Sequence, residues 1–451
     1  MKKVALHTLG CKLNYAETSM LGKQFVDRGF QVVEFGEQAD VCVINTCSVT
    51  ERADRECRQI IRRAMRTSEN PLVVVTGCYA QLDPEEIASI EGVDFVLGAK
   101  EKFDLFNYVG SLEKKLYPNV FVSDISTVDN FGIGYSTSAT DRTRAFLKIQ
   151  DGCDYNCSFC TIPLARGASR SQSIEACVEQ ANTLVAQGYK EIVLTGVNVG
   201  DYGKKNNANL LALLRELVKV DGLQRIRISS LEPNLLTNEI LKFVASEKKM
   251  ANHFHIPLQS GSDKVLKGMR RRYNTNYYYD LIHRIKKQIP DCGVGVDVIV
   301  GFPGESDKHF EETHLFLTEL PVSYLHVFTY SERPNTPAAE FGKAVEPRVR
   351  FKRNEILRIL SQKKKHAFSQ SMVGQTVEVL MEGDVENGMR FGFTDNYVRV
   401  GLPAEETEEN TFVEVVVGHY MLSGAKHPSA IETQRDSPEG MPSAFAPLRI
   451  E

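Results

Sequence analysis

The chain has 451 residues, 25 % of them charged and 42 % hydrophobic, with 54 Lys and Arg against 58 Asp and Glu for a formal net charge of −4. That length exceeds a single core and predicts two or three domains, and the charge balance excludes a globally basic nucleic-acid binder, so any such surface must be local. No run approaches eighteen apolar residues and the opening MKKVALHTLGCKLN lacks a signal-peptide core, so a cytoplasmic protein without membrane contact is expected. Its ten cysteines are then expected as thiols or metal ligands rather than disulfides.

Residues 4–9, 41–46 and 72–77 are short β-branched apolar runs separated by helical patterns near 14–29 and 51–67. This alternation predicts a parallel α/β domain over 1–117. Cys11, Cys47 and Cys78 each follow one of the strands. Ligands of open α/β sheets bind at the carboxyl ends of strands, so three cysteines more than thirty residues apart are expected to converge there as a three-thiolate site. Cys42, Cys57, Cys177 and Cys292 have no partner spacing and read as small buried residues. The helix at 51–67 carries Arg52, Arg55, Arg58, Arg62, Arg63 and Arg66, which read either as a solvated face or as a phosphate-tracking one, with Arg52 and Arg55 the substrate candidates. Residues 118–142 are polar and read as a linker.

The loop that follows is the densest chemical signal in the chain. Cys153, Cys157 and Cys160 stand at spacing C-x3-C-x2-C, so one loop can deliver three thiolates to one site. Thiolates suit zinc and iron–sulfur clusters alike, but structural zinc closes with four protein ligands, and no Cys or His lies within the next fifteen residues. Three ligands leave one metal corner open. Tyr155 and Phe159 would pack round the sulfurs and limit water.

From 145 to 328 strands and helices alternate six times, with strands near 145–150, 190–195, 225–230, 253–258, 293–300 and 323–328. Barrel chemistry sits at the carboxyl ends of such strands, which here read 195–198, 229–232, 257–261 and 301–305. His253 and His255 share a strand face and read as satisfied barrel histidines rather than a metal pair. The stretch 348–366 holds eight Lys or Arg against Glu355 alone, with apolar spacing at Ile356, Leu357 and Leu360, a basic amphipathic helix ending a domain at 143–369. Short alternating strands with glycine turns follow, a small all-β module over 370–434 expected as a five-stranded barrel, then a disordered Pro- and Ser-containing tail, 435–451.

The cysteine loop, with Phe159 directly before its third cysteine, resembles the cluster motif of the radical S-adenosylmethionine (SAM) enzymes, and the six βα units resemble their partial (β/α)6 barrel. The resemblance implies a 4Fe-4S cluster whose open iron binds SAM and yields a 5′-deoxyadenosyl radical. It also implies a cofactor site lined by Tyr155, Phe159, Gly196, Asn198, Ser230, Glu232, Gln259 and Ser260, with Gly196 allowing close backbone approach. A second cluster on a separate N-terminal domain, and a C-terminal module similar to the TRAM domain, extend the resemblance over nearly the whole chain to the methylthiotransferases. These insert sulfur and a methyl group at an unactivated C–H, and the likeness implies two 4Fe-4S clusters, two SAM molecules, an electron donor such as flavodoxin or ferredoxin, and a sulfur source.

The motif Thr8-Leu9-Gly10-Cys11-Lys12-Leu13-Asn14 is similar to the subgroup acting on N6-threonylcarbamoyladenosine beside the tRNA anticodon. Isopentenyladenosine enzymes tend to carry Gln-Met at Lys12-Leu13, and ribosomal-protein enzymes Pro-Lys. Lys12 and Asn14 thereby become substrate candidates, Lys12 for the substrate's carboxylate. The β-module runs against a tRNA partner: it is acidic, Glu405, Glu406, Glu408 and Glu409 included, with only Arg390, Arg399 and Lys426 as cations. That surface would suit a basic ribosomal protein, whose aspartate is the alternative substrate; the N-terminal motif favours tRNA. A non-catalytic iron–sulfur protein that binds RNA or relays electrons is the reading from another class, and fully ligated clusters would mark it. A monomer is expected.

Overall fold

The computed structural model describes residues 1–48, 50–110, 112–114, 116–136 and 143–422. The expected tail and the last part of the β-module, Lys426 included, lie outside the described residues.

Six parallel strands form the first sheet: β1 Lys3–Thr8, β2 Gln31–Val33, β3 Val41–Thr46, β4 Leu72–Gly77, β5 Phe95–Leu97 and β6 Asn119–Phe121, in the order β2-β1-β3-β4-β5-β6. Every residue of β3 and β4 is buried, as expected of central parallel strands covered on both faces. Helices α1 Lys12–Val26, α2 Glu51–Thr67, α3 Cys78–Leu82, α4 Pro84–Ala88 and α5 Leu105–Val109 accompany them. Two apolar clusters, one holding Ile44, Val73 and Val75 and the other Val43, Val74 and Phe95, form the cores on the two sides. The segment expected as a linker begins instead as β6, paired with β5 from Asn119 to Phe121. Three residues are too few for a periodicity to show, which also hid β2 and β5.

The second unit is an open parallel barrel. Strands β7 Arg144–Lys148, β10 Glu191–Thr195, β11 Arg225–Ile228, β12 His253–His255, β13 Gly293–Val300 and β14 Tyr324–Thr329 follow one another in space in chain order. Bridges Ile226 to Met250 and Ser230 to His255 join its two halves. The short strands β8 Gln150–Asp151 and β9 Arg170–Ser171 pair beside the cysteine loop. Helices α6 Ile162–Arg166, α7 Ile174–Ala186, α8 Leu210–Leu217, α9 Asn238–Ser246, α10 Asp263–Gly268, α11 Thr275–Gln288 and α12 Asp307–Glu319 are connectors. Ile192, Leu194, Ile226, Ile228, Val294 and Val296 pack in the main core under these helices. Strand side chains alternate, so the opposite, concave face carries Phe146, Lys148, Glu191, Thr195, Arg225, Arg227, His253, His255 and Asp297. It is polar. Helix α13, Pro347–Ser371, ends the barrel along β14.

The C-terminal strands β15 Thr376–Glu386, β16 Met389–Thr394, β17 Arg399–Pro403 and β18 Phe412–Val416 form an antiparallel sheet in the order β17-β16-β15-β18. The described residues give four strands where five were expected, with a bridge from Val400 to Leu422 at the open edge.

Among the described residues no helix is long and apolar enough to cross a membrane.

Candidate active site

The carboxyl ends of β1, β3 and β4 lie side by side, and each delivers a cysteine. Cys11 precedes the first turn of α1, Cys47 directly follows β3, and Cys78 opens α3. Glycine lets the backbones approach. Gly10 has φ +96°, and a Cβ there would stand 2.7 Å from Cys47 Cβ and 2.8 Å from its Sγ. Gly77 has φ +99°, and a Cβ would meet Asn45 Oδ1 at 2.6 Å. Only glycine adopts such φ freely. Cys78 is buried, which raises its pKa, and it feels the charge of Cys11, Arg166 and Lys102.

The second set follows β7. Gly152 (φ +68°) turns the chain into Cys153, whose N–H bonds to Gly167 O at 3.0 Å. Burial pushes Cys153 up to about 11 and Cys160 up to about 12, each feeling the neighbouring cysteines of the set. Such thiols surrender their protons at neutral pH only to a metal. Cys157 Sγ accepts a 3.0 Å hydrogen bond from Arg271 Nη1, and the other arm of that guanidinium is paired with Glu232. Tyr155 is buried, bonded to Asn234 at 2.9 Å and covered by Arg272 at 3.8 Å from its ring centre. Phe159 packs beside Met269 and Phe302. Arg271 carried no signal in the sequence, because it sits in a turn among other basic residues, RRRY.

The remaining cofactor candidates divide. Asn198 accepts from Glu232 N at 3.4 Å and keeps a buried Nδ2 without partner; its own N–H is bonded to Gln150 Oε1 at 2.9 Å. Thr195 Oγ1, Ser229 Oγ and Asp201 Oδ2 are likewise unpartnered at the same strand ends. Such a cluster of open polar atoms fits a polar ligand such as SAM. Gln259 stands at the end of β12 with φ +71°, its N–H bonded to Asp297 O at 2.8 Å, and Ser230 forms the bridge to His255. Ser260 is buried, with its hydroxyl 3.2 Å from that of Thr313 of α12. The space beside Gly196 is taken by Gln150, whose Oε1 would lie 2.9 Å from a Cβ there, so its missing side chain admits a neighbour of the fold.

A buried ion cluster joins the two cysteine sites. Glu17 of α1 binds Lys102 at 2.5 Å, Lys148 of β7 at 2.8 Å and Arg166 of α6 at 3.0 Å. Asp151 binds Lys148 at 2.7 Å and Arg166 at 2.9 Å. The surrounding cations hold Glu17 well below the usual carboxylate range, against the opposing effect of burial. Asn14, expected near substrate, belongs to this cluster. Its amide donates to Leu9 O at 2.7 Å and Thr46 O at 3.1 Å and accepts from Arg166 at 2.5 Å, so it ties two strand ends together. Helix α3, opened by Cys78, packs on α6, which begins two residues after Cys160. The interface thus brings the element opened by Cys78 against the one that follows Cys160.

A second fastening lies on the far side. Arg333, after β14, donates to Asp54 and to Ser48 Oγ, both at 2.6 Å, and Ser331 accepts from Glu51 N at 3.1 Å. Arg52 and Arg55 extend into solvent from that first turn of α2 and touch neither cysteine set. Cys42, Cys57, Cys177 and Cys292 are buried within strands and helices or beside them, as expected. His253 bonds to Tyr324 OH at 2.8 Å and His255 to Asp297 at 2.7 Å, so the two histidines do not pair with each other.

An open parallel barrel with three cysteines after its first strand and unpaired polar atoms along its strand ends defines a radical SAM enzyme. A model of the radical SAM superfamily matches residues 147–317, and one of an uncharacterised protein family, UPF0004, matches residues 3–98. Over 423 residues the chain is 42 % identical to threonylcarbamoyladenosine tRNA methylthiotransferase MtaB of Bacillus subtilis, covering 92 % of this chain and 94 % of that one. It is 40 % identical to the protein of the same name from Aquifex aeolicus, with 88 % and 96 % covered. The chain belongs to the radical SAM methylthiotransferase family. Among solved structures, the radical SAM methyltransferase TsrM of Kitasatospora setae shares the fold, with a TM-score of 0.58 over 75 % of each chain at 17 % identity.

Proposed function

We propose that this enzyme adds a methylthio group at C2 of N6-threonylcarbamoyladenosine next to the tRNA anticodon. The observation that carries it is the α3–α6 contact, which brings the helix opened by Cys78 against the one that follows the Cys153–Cys160 loop. Three thiolates each leave one iron open, whereas an electron carrier needs complete ligation. The relatives at 42 % and 40 % identity, named for this nucleoside, support the choice of substrate.

Cys153, Cys157 and Cys160 hold one 4Fe-4S cluster, and Cys11, Cys47 and Cys78 the other. With SAM bound, these groups supply radical removal of hydrogen and delivery of sulfur and methyl. The rest falls to the chain. Arg271 places positive charge on the Cys157 sulfur and fixes Glu232 beside it. The Tyr155–Asn234 bond and the Arg272 cover hold the loop and exclude water. Thr195, Asn198 and Ser229 receive the polar groups of the cofactor. The exposed cations of α2 and α13, not the acidic β-module, contact tRNA phosphates. The reaction further draws on an electron donor of the flavodoxin or ferredoxin kind and a sulfur source, in the cytoplasm.

Mass spectrometry of tRNA nucleosides from cells lacking the gene tests the reading. The methylthio form of threonylcarbamoyladenosine is expected to vanish while its unthiolated precursor accumulates. Persistence of that form, or loss of methylthio-isopentenyladenosine in its place, overturns it.

A further inference from the structure

The lower end of the barrel is stoppered by the C-terminal module. The turn between β16 and β17 enters beneath β11 and β12. Arg227 donates to Asp395 O at 2.7 Å and Thr394 O at 3.0 Å, Asn252 to Asp395 at 2.8 Å, and Asn396 to Asp291 O at 2.9 Å. Tyr397 stands at this turn with φ +71°, a conformation an aromatic residue rarely adopts. Its ring stacks on Phe393 at 4.7 Å, lies 4.9 Å from that of His253, and has Arg227 at 5.1 Å. The side of the barrel is closed by α1, with Ala16 packed on Phe146 and Val193.

Lys12, in the first turn of α1, reaches into the well so formed. The residue is exposed, but burial of the amine is the largest effect on it and lowers its pKa, Arg144 and Arg227 acting in the same direction and Tyr397 and Glu191 against it. The guanidiniums there have carboxylates of their own: Arg225 and Arg227 share Glu191 at 3.3 and 2.9 Å, and Arg144 holds Glu382 at 2.9 Å. Among the described residues no hydrogen bond or ion pair engages the Lys12 amine. His253 is 5 % exposed, yet its Nδ1 has no partner. An ammonium without an ion pair, a phenol that Arg144 already hydrogen-bonds and an open imidazole nitrogen, with three guanidiniums beside them, make a carboxylate site.

We infer that this floor binds the terminal carboxylate of the threonylcarbamoyl side chain, between Lys12 of the N-terminal domain and Tyr397 of the C-terminal module. The inference rests on the substrate proposed above. The subsite takes one residue from each flanking domain and is complete only when all three units are assembled. SAM also carries a carboxylate, but the cysteine loop that would hold SAM lies at the other, upper end of the strands, where Arg271 meets Cys157.

Equilibrium binding by the reconstituted full-length protein decides the matter, using tRNA with threonylcarbamoyladenosine and the same tRNA with that carboxylate converted to its amide. Wild type is expected to favour the acid by about tenfold or more, the worth of a charged hydrogen bond. Lys12→Met is expected to bind both alike, and Tyr397→Phe to lose part of the preference. Should Lys12→Met fail to load iron, Tyr397→Phe, outside both cysteine sets, decides alone. A wild type that does not distinguish acid from amide overturns the subsite. If wild type distinguishes them and the variants distinguish them equally well, the subsite falls while the proposed substrate stands. Weaker SAM binding in Lys12→Met with the acid preference intact assigns the floor to the cofactor and overturns the inference.

Discussion

Gly10 and Glu17 show how much of this site depends on single positions. A methyl group at residue 10 would collide with Cys47 while the backbone is held at positive φ. Gly10→Ala is therefore expected to lose the N-terminal cluster and keep the other, with iron falling from about eight to about four per chain after anaerobic reconstitution. A full complement of iron would count against the geometry. Glu17 is the hinge of a buried charge cluster, and its removal leaves Lys102, Lys148 and Arg166 with too few counter-ions. Breaking such a cluster costs about 3–5 kcal/mol, so Glu17→Gln should shift a urea unfolding midpoint strongly. The six cysteines were legible because each follows an apolar strand pattern or stands in a tight motif. Arg271 and Tyr397 were not, since neither a turn arginine nor a hairpin tyrosine carries a spacing that says what it will touch.

Helix α13 combines two roles that its composition did not separate. Of its eight cations in 348–366, Arg350 is buried and paired with Glu332, Arg353 is buried against Glu305 at 2.6 Å, and Lys364 caps Thr318 and Leu320 carbonyls. These are structural. Arg348, Lys352, Arg358, Lys363 and Lys365 remain exposed. Charge reversal at Arg358 and Lys363 is expected to weaken tRNA binding and flatten its dependence on salt, with little effect on the unfolding midpoint. Arg353→Met is expected to do the opposite, lowering stability by a few kcal/mol. Binding isotherms at several salt concentrations, read beside denaturation curves, distinguish the two faces. Sequence periodicity placed the helix within a few residues, but which cations turn inward depended on partners up to 48 residues away.

At the scale of the whole molecule, three units share two interfaces made of charge, which sets a response to acid. Burial, reinforced by Arg63, lowers His7 to about 4, and burial holds His253 well below its ordinary value. A histidine whose folded pKa is depressed takes up its proton on unfolding, so its contribution to stability is present above pH about 6.5 and declines below it. Glu17 and Asp151 are depressed in the same direction from lower starting values, and their contribution begins to fail only below about pH 4. Stability measured by urea titration should therefore fall in two stages, from about pH 6.5 and then more steeply from about pH 4. A flat profile between pH 7 and 5 would show that the histidines are not held neutral. The order of domains could be read from strand and helix runs. The interfaces could not, because ionic contacts between distant segments leave no local pattern.

The Glu17 cluster also bears on how the chain is made. Its carboxylate leaves the ribosome long before two of its partners, Lys148 and Arg166, which follow 131 and 149 residues later. At about 5–20 residues per second, that delay is roughly 7–30 s. Through that interval the amino-terminal unit has only Lys102 to answer the acid on α1. Its final docking must wait for the barrel's first strand and cysteine loop to emerge, so the two halves of the catalytic chamber mature together.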